Sequence, residues 1–292
     1  MRTIALEAYA KVNLALDILG RREDGYHDMR MVMQTVSLGD TVTVTETAAG
    51  FTLLAEGVEL PRDRKSMEQQ AAETFFAALD RPMPGLEVHL EKRVPAYAGL
   101  GGGSADVAAV LRALRRLYCP EMPRAELETI GARVGSDVAF CLRGGTCLAQ
   151  GRGEVLTDLT ALPECAIVLC KPPFGLPTPA LFARVDGVNL GMRPDVDGMT
   201  AALERGDLAA VAARLGNVFE SVLAGEEAEA VAAIKRTLLR RGAMGAAMSG
   251  SGPTVFGVFP SRASARGVYG DLAARYPQTY LVSPVKKFRE LE

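Results

Sequence analysis

A glycine-rich run in the middle of the chain has the residue types of an anion-binding loop. Between Val94 and Asp106, four of the five residues from Gly99 to Gly103 are glycine, and Ser104 follows them. Glycine lets a backbone approach an anion closely and adopt positive φ angles. A serine that opens a helix adds unpaired N–H groups and the positive end of the helix dipole. We therefore expect this run to hold a polyphosphate. The candidate phosphate-binding residues are Pro95, Ala96, Tyr97, Ala98, Gly99, Leu100, Gly101, Gly102, Gly103 and Ser104.

Other interpretations of the same run are possible. It would also fit a tight turn between a strand and a helix with a serine cap, because glycine turns are common. A Walker loop ends in Gly-Lys-Ser or Gly-Lys-Thr, and no lysine follows these glycines. A dinucleotide fingerprint requires a third glycine where Ser104 stands and an acidic residue about 20 positions further on. Glu121 has that spacing, but it lies in the loop-like segment Cys119–Pro123.

A second glycine cluster, Met248–Thr254, lies far along the chain between two apolar runs. Alone it is a weak signal. Together with the first glycine run it would place two sets of backbone donors around one site. Ligand pockets commonly form at such a domain interface.

Polar and apolar residues alternate near the N-terminus, as in a half-buried strand. The apolar face is predicted to hold Ala10, Val12, Leu14, Leu16 and Ile18, and the polar face Tyr9, Lys11, Asn13 and Asp17. Lys11 could hold an acceptor oxygen and steady the charge of a moving phosphoryl group. Asn13, on the same face, could orient a substrate. A strand lysine is also commonly solvated, and Asn13 would equally fit a polar edge position.

Asp137 is the candidate carboxylate that orients or deprotonates an attacking hydroxyl group. It follows Gly135 and Ser136 and precedes an apolar stretch. The alternative is an aspartate that caps a helix or stabilises a turn. For Asp106, we expect support of the helix start or of the water shell of a magnesium ion.

An aromatic pair lies in the turn-like segment Asp24–His27. Tyr26 can supply an aromatic face, and His27 can form hydrogen bonds to the edge of a nucleobase. This segment is therefore a candidate for substrate recognition.

Composition favours an enzyme that acts on small molecules. The 292 residues, 48% of them hydrophobic, can bury a full core and suggest two domains. A net charge of -2 gives no general attraction to nucleic acid or to anionic membrane. The N-terminus has no basic segment followed by an apolar one, and no apolar stretch approaches 18 residues. We expect a cytoplasmic protein.

The periodicity of apolar residues predicts mixed α and β structure in both halves. The predicted helices are at about 67–79, 104–117, 124–134, 199–204, 208–223, 227–241 and 263–276, and strands are predicted at about 9–18, 41–46, 86–94, 166–170, 254–259 and 279–285. A polar turn at Thr160–Glu164 contains a proline and marks the expected boundary. The predicted domains are 1–160 and 161–292.

Cysteine and histidine usage argues against a metal centre built by the protein. There are five cysteines, an odd number with no Cys-x-x-Cys pair, and two histidines. Neither a disulfide framework nor a zinc site is indicated, and the thiols are expected to be buried. Any metal is expected to arrive with a nucleotide.

Three segments in order resemble the motifs of the galactokinase, homoserine kinase, mevalonate kinase and phosphomevalonate kinase (GHMP) superfamily. They are Lys11–Asn13, Ala98–Ser104 and Ser249–Gly252. The resemblance implies an α+β, two-domain GHMP kinase fold. Its N-terminal domain would be similar to ribosomal protein S5 domain 2 and would bind ATP, and its C-terminal domain would be ferredoxin-like, with the substrate site at the interface.

Four further segments are similar to one branch of that superfamily, whose substrate is 4-diphosphocytidyl-2-C-methyl-D-erythritol. They are Ala8–Leu14, Arg22–His27, Gly135–Val138 and Pro177-Thr178. The similarity runs from about Leu6 to Phe259, and the chain departs from the branch pattern at Ser66-Met67, Ala105 and Ala139. It implies transfer of the γ-phosphate of ATP, with Mg²⁺, to the 2-hydroxyl of that substrate in the non-mevalonate route to isoprenoid precursors.

The resemblance also assigns roles to single residues. Lys11 and Asp137 would be the catalytic pair. Phe182 would stack on the cytosine opposite Tyr26, although a phenylalanine of the ordinary core is a serious alternative. The implied substrate-binding residues are Asn13, Tyr26, His27, Thr178 and Phe182.

Two alternatives stay open at this point. One is another small-molecule kinase of the superfamily, which the Gly25–His27 turn disfavours. The other is a nucleotide-binding sensor without catalysis, against which Lys11 and Asp137 argue. The expected partner is a small molecule carrying a cytidyl group, with no nucleic acid or membrane partner, and the expected state is a monomer or homodimer.

Overall fold

Two β-sheets organise the residues that the computed structural model describes, which are 1–57 and 65–288. The strands are β1 (Thr3–Arg21), β2 (His27–Thr47), β3 (Phe51–Glu56), β4 (Gly85–Glu91), β5 (Thr146–Gly151), β6 (Val155–Asp158), β7 (Ala166–Cys170), β8 (Gly216–Asn217), β9 (Gly245–Met248), β10 (Val255–Phe259) and β11 (Thr279–Val282). The α-helices are α1 (Met67–Ala78), α2 (Gly102–Tyr118), α3 (Arg124–Val134), α4 (Ser136–Arg143), α5 (Thr178–Val185), α6 (Val196–Glu204), α7 (Leu208–Ala212), α8 (Gly225–Arg240) and α9 (Arg262–Arg275). The mixed α+β architecture predicted from the sequence is confirmed.

The first sheet has seven strands, in the order β3-β4-β2-β1-β8, with β5 paired to β2 and β6 to β5. Its centre is the long antiparallel pair β1 and β2. The register of this pair shifts between Tyr9 and Lys11 and again between Asn13 and Ala15. Such bulges re-aim the side chains beside them. The bulges therefore decide where the polar residues of β1 point.

These bulges overturn one prediction. Ala10, Val12 and Leu14 pack in a core cluster with the apolar residues of β7 and β10. Leu16 and Ile18 instead pack in the core cluster that contains the α2 side chains. The prediction that all five share one strand face is wrong, because a period of two holds only where the register is uninterrupted.

The second sheet is antiparallel, in the order β11-β7-β10-β9. Helices α8 and α9 pack against it. The connection from β6 to β7 contains the predicted boundary at residue 160. Strand β8, however, pairs in parallel with β1 at Ala15 and Leu16, so a segment of the second half completes the first sheet.

The predicted helices agree with the structure to different degrees. The helix at 124–134 is confirmed as α3, and α2 begins at Gly102, two residues before the predicted start. The predicted helix at 208–223 is wrong. It is divided into α7, β8 and a short 3-10 helix, Val218–Val222. Gly216 stands where the helical pattern breaks.

All five cysteines are free thiols, and Cys141, Cys147, Cys165 and Cys170 are buried. The prediction of buried thiols is confirmed for these four, and Cys119 is half-buried. Across 1–57 and 65–288, no helix has the length and apolar character needed to cross a membrane.

Candidate functional site

One cleft is lined by every residue that the sequence analysis proposed for binding or catalysis. Its volume is about 1170 Å³, and it lies where β1, the start of α2, the start of α4 and the start of α5 come together. The proposed residues that line it are Lys11, Asn13, Tyr26, His27, Pro95, Ala96, Tyr97, Ala98, Gly99, Leu100, Gly101, Gly102, Gly103, Ser104, Asp137, Thr178 and Phe182. Residues far apart in the chain thus form one continuous surface.

The two glycine clusters touch each other at this cleft. Ser249 Oγ donates a hydrogen bond to the Gly99 carbonyl oxygen at 2.9 Å. Gly99 has a φ of +72°, and a Cβ atom there would lie 2.1 Å from the Ser249 carbonyl oxygen. Only glycine fits such a contact, because the approach leaves no room for a side chain. The second glycine cluster therefore supports the first from the side of the second sheet.

The N-cap residue of helix α2 is Gly101, which has no side chain that could accept a hydrogen bond from the first backbone N–H groups. Gly101, with a φ of +69°, precedes the helix, and Ser104 lies inside the first turn. The expectation that Ser104 opens the helix is wrong, since Gly102 and Gly103 already belong to the helix. The N–H groups of the first turn and the positive dipole end favour an anion at this position.

Lys11 and Asp137 contact each other in the cleft. Lys11 is 5% exposed. Its Nζ donates to Asn13 Oδ1 at 2.8 Å and lies 3.3 Å from Asp137 Oδ2. Its backbone N–H donates to the Leu100 carbonyl oxygen at 2.9 Å, which ties β1 to the glycine loop. The ammonium group is thus held between an amide and a carboxylate.

Asp137 is the open member of this trio. It lies in the first turn of α4, and 31% of its side chain is exposed, against 6% for Lys11. Lys11 is a fixed positive charge, whereas the Asp137 carboxylate reaches the space that a ligand would occupy. A buried ammonium beside a ligand-facing carboxylate can hold an alcohol oxygen and accept its proton.

Aromatic rings also line the cleft. His27 stacks on Phe182, with ring centroids 4.7 Å apart and an interplanar angle of 22°. Phe182 also meets Phe219 edge to face at 5.0 Å. Tyr26 is 53% exposed, and the Arg152 guanidinium lies 5.0 Å from its ring centroid. Phe182 is therefore both a cleft residue and part of the packing.

Asp186 was not found from the sequence. Its Oδ1 lies 2.7 Å from His27 Nε2, and its Oδ2 lies 3.2 Å from Arg21 Nη1. The contact with His27 joins residues 159 positions apart, and no local pattern predicts such a pair. Thr178 Oγ1 lies 2.8 Å from Ser251 Oγ, so the start of α5 is fixed against the second glycine cluster.

The described residues contain no group of three or more His, Cys, Asp or Glu side chains that could hold a metal ion.

Lys92 also lines the cleft, and sequence analysis did not identify it as a candidate residue. A signal for it existed, because it stands two residues before Val94 at the entrance to the glycine loop.

The fold and the cleft define an ATP-dependent kinase of the GHMP class. Residues 66–145 match the family model for the GHMP kinases N terminal domain, and residues 199–278 match the model for the GHMP kinases C terminal domain. A homoserine kinase from Cytophaga hutchinsonii has the same fold, with a TM-score of 0.78, 19% identity and coverage of 98% of this chain and 96% of that chain.

The relatives are more specific. A 4-diphosphocytidyl-2-C-methyl-D-erythritol kinase from Pelotomaculum thermopropionicum is 45% identical over 93% of this chain and 93% of its own length. Its counterpart from Clostridium tetani is 38% identical over 94% of this chain and 98% of its own. A solved structure of 4-(cytidine 5'-diphospho)-2C-methyl-D-erythritol kinase matches with a TM-score of 0.80 and 32% identity, and the match covers 96% of this chain and 99% of that chain. The chain belongs to the 4-diphosphocytidyl-2-C-methyl-D-erythritol kinase family.

Proposed function

We propose that the protein transfers the γ-phosphate of ATP to the 2-hydroxyl group of 4-diphosphocytidyl-2-C-methyl-D-erythritol, a step toward isoprenoid precursors. The contact of buried Lys11 with Asp137, in one cleft with the glycine-capped start of α2, is the observation that carries this proposal. The cleft combines a glycine loop, a pair of charged side chains and aromatic rings. This combination suits a reaction between a triphosphate and an alcohol that carries a nucleobase.

Catalysis rests on positioning and on charge. Asp137 orients the hydroxyl group and accepts its proton as the oxygen attacks the γ-phosphorus. Lys11 compensates the negative charge that develops on the attacking oxygen and on the moving phosphoryl group. Because its ammonium is already held by Asn13, little reorganisation is needed when the reaction occurs. The leaving ADP stays at the start of α2, where backbone N–H groups bind its phosphates.

Magnesium is proposed to enter with ATP. Mg²⁺ keeps several waters and is usually held by one or two carboxylates together with substrate phosphates. The Ser104 hydroxyl and the Asp137 carboxylate line the cleft and offer oxygen atoms of the required kind. When bound, the ion neutralises phosphate charge and polarises the phosphoryl oxygens.

The monomeric or homodimeric state and the cytoplasmic location stay predictions.

His27 is proposed to read the edge of the cytosine. An ionised carboxylate only accepts hydrogen bonds, so Asp186 places the proton of a neutral His27 on Nε2. The Nδ1 atom is then an acceptor. Cytosine presents an amino group that can donate a hydrogen bond to this Nδ1 atom. Asp186 would thus determine which atom of His27 faces the base.

Substrate choice tests the proposed function directly. Purified protein is incubated with Mg-ATP and, separately, with the cytidyl substrate, mevalonate, homoserine or galactose, and ADP release is followed. Turnover with the cytidyl substrate alone is expected. Turnover with mevalonate, homoserine or galactose instead would assign another GHMP activity, and turnover with none would favour a nucleotide-binding sensor.

Gly103→Val is expected to weaken ATP binding by about tenfold or more. A Cβ atom at Gly103 would meet nothing within 4 Å in the described part of the chain, so the change introduces no clash with the fold. The branched side chain would instead occupy space in front of the first helical turn, where phosphates are proposed to bind. Titration calorimetry with ATP measures the effect.

A matched control exists in α9. Gly270 is also helical and exposed, and a Cβ atom there would likewise meet none of the described residues within 4 Å. Gly270→Val therefore makes the same chemical change away from the cleft. Its ATP affinity should stay within about twofold of the parent protein, since helix propensity changes little between glycine and valine. Equal ATP affinity in both variants would remove α2 from the phosphate site.

Tyr26→Ala is expected to raise the KM for the cytidyl substrate by roughly 5- to 150-fold, since stacking of a base on an aromatic ring contributes about 1 to 3 kcal/mol. The KM for ATP should change less than about threefold. Because Tyr26 is exposed, thermal stability should hardly change, in contrast to Phe182→Ala, which also removes packing against Phe219. Tyr26→Phe keeps the ring and should restore the KM. Parallel losses for both substrates would argue against a stacking role.

A further inference from the structure

Arg152 lies in the turn between β5 and β6 and lines the cleft. Its guanidinium group lies over the Tyr26 ring, 5.0 Å from the ring centroid. The residue after it, Gly153, is close to Asp137, since a Cβ atom at Gly153 would lie 4.0 Å from Asp137 Oδ1. Consecutive Cα atoms are only about 3.8 Å apart. One short turn therefore approaches both the ring proposed to stack on the base and the carboxylate proposed to receive the acceptor hydroxyl group.

Glu154 and two glycines fix the shape of this turn. Glu154 Oε2 accepts a hydrogen bond from the backbone N–H group of Arg152 at 2.7 Å. Gly151 and Gly153 have φ angles of +67° and +115°, which glycine adopts without steric cost. Glu154 Oε1 also lies 3.7 Å from Arg152 Nε, the inner nitrogen of the guanidinium group. The two outer nitrogens, Nη1 and Nη2, donate no hydrogen bond to any residue of 1–57 or 65–288, so both can bind a ligand.

The other positive charges of the cleft are paired more closely than that of Arg152. Among the described residues, the cationic side chains that line the cleft are Lys11, Arg21, Lys65, Lys92 and Arg152. Each of the first four has a carboxylate oxygen within 3.3 Å. Arg152 meets a carboxylate only at 3.7 Å and only through Nε, and 33% of its side chain is exposed. An accessible guanidinium fork of this kind suits a bidentate hydrogen bond to a phosphate group.

We propose that Arg152 is a substrate-binding residue that holds the diphosphate group of the cytidyl substrate. The inference rests on the proposed function, because it takes that substrate to occupy the cleft. In the substrate, the diphosphate joins the cytidine to the carbon chain that bears the acceptor hydroxyl group. A base on Tyr26 and a hydroxyl group at Asp137 therefore require the diphosphate to pass along the turn that approaches both, which is the turn that carries Arg152.

The contribution of Arg152 is electrostatic and is the same before and during the reaction. With both substrates bound, the cleft holds a triphosphate and a diphosphate, whose like charges repel one another. The N–H groups at the start of α2 bind the triphosphate, and the Arg152 fork compensates the diphosphate charge. Because the diphosphate takes no part in bond making or breaking, this contact contributes equally to ground-state and transition-state binding. Its loss should raise the KM for the cytidyl substrate and leave kcat nearly unchanged.

The first test compares cytidine with cytidine 5'-diphosphate (CDP), because the two differ only in the group that Arg152 is proposed to bind. Calorimetry gives the Kd of each compound with ADP at saturation, which keeps CDP away from the glycine loop. The parent protein should bind CDP more tightly than cytidine. In Arg152→Met, this preference should shrink by about tenfold or more, the factor expected when a hydrogen bond between charged groups is lost. The Kd for cytidine should change by less than about fivefold, since a cation–π contact at an exposed ring is weak.

A matched control lies at the end of α9. The Arg275 guanidinium lies 5.2 Å from the centroid of the Tyr276 ring, and neither residue lines the cleft. Arg275→Met therefore makes the same chemical change to the same kind of contact, and the parent preference for CDP over cytidine should be kept. Methionine retains an apolar stem beside the ring in both variants, so both should stay folded, which thermal unfolding checks.

Steady-state kinetics separates the diphosphate from the ATP phosphates. For Arg152→Met, the KM for the cytidyl substrate should rise about tenfold or more, while kcat and the KM for ATP change less than about threefold. An equal rise in both KM values would assign Arg152 to the ATP phosphates and reject the proposal. An unchanged preference for CDP in Arg152→Met, with both compounds bound, would also reject it and leave the proposed function intact. If the parent protein binds neither cytidine nor CDP, the proposed function and this site are both rejected.

Discussion

Replacement of Asp137 by asparagine is expected to lower kcat by about 10²-fold or more while ATP still binds. The amide keeps the shape of the side chain and loses both its charge and its basicity. Asp137 lies 3.3 Å from Lys11 Nζ and faces the cleft, and its side chain is 31% exposed. The change therefore removes little packing. Steady-state kinetics with both substrates saturating gives kcat, and calorimetry gives the ATP affinity.

The kinetic parameter that changes in Asp137→Asn, kcat or a substrate affinity, identifies the role of Asp137. A drop in kcat with unchanged affinities means that Asp137 acts in the transition state and not in ground-state binding. Asp271→Asn makes the same chemical change in an exposed surface pair and should leave kcat unchanged. A near-normal kcat in Asp137→Asn would place the proton acceptor elsewhere in the cleft.

Residue types in local patterns allowed most residues of the proposed phosphate site to be placed in the cleft. The dense glycines before an alanine-rich helix indicate an anion site, because glycine conformation and free helix N–H groups are properties of a short segment. Lys11 and Asn13 were also found, since the two lie on one strand face. The structure adds the bulge between Asn13 and Ala15, which breaks the alternation and is not visible in a pattern of apolar residues.

Contacts between distant segments could not be predicted. The pairing of His27 with Asp186 depends on how the end of α5 is placed against the start of β2, and a single aspartate in a loop gives no sign of its partner. The same holds for strand β8, which is two residues long and pairs with β1 only after the chain has folded. Short elements of this kind are formed by tertiary packing, and propensity says little about them.

The contacts of Lys92 with Asp40 and Asp106 also could not be predicted from the sequence. Asp40 is a polar residue in a strand and Asp106 a polar residue in a helix, and both would ordinarily be expected to be exposed. Asp40 can be buried because its carboxylate accepts hydrogen bonds from Lys92 Nζ and from two backbone N–H groups. Asp106 can be buried because its carboxyl group accepts a hydrogen bond from the same Lys92 Nζ. Only the three-dimensional arrangement shows that these side chains contact one another.

Lys11→Met is expected to lower kcat by about 10²- to 10³-fold, the range measured when one stabilising donor is removed from a transition state. Methionine keeps most of the apolar length of lysine and removes the ammonium. Asn13 Oδ1 loses its donor, while a buried charge is also removed, so we expect only a small change in thermal stability. Lys11→Arg should not restore activity. Cβ atoms at Gly101 and Gly250 would lie 3.0 Å from Lys11 Cγ and 3.1 Å from Lys11 Nζ, so the backbone leaves no room for a guanidinium.

The double variant Lys11→Met with Asp137→Asn decides whether the two residues act as a unit. Their contact at 3.3 Å means that each supports the other, because the carboxylate stabilises the ammonium and the ammonium holds the oxygen that the carboxylate must reach. Residues that act together show non-additive losses, so the double variant should be about as slow as the slower single variant. The measurement is kcat for the four proteins of the cycle under saturating conditions. If the two losses multiply instead, Lys11 and Asp137 contribute to separate parts of the reaction, and Lys11 serves the phosphoryl group alone.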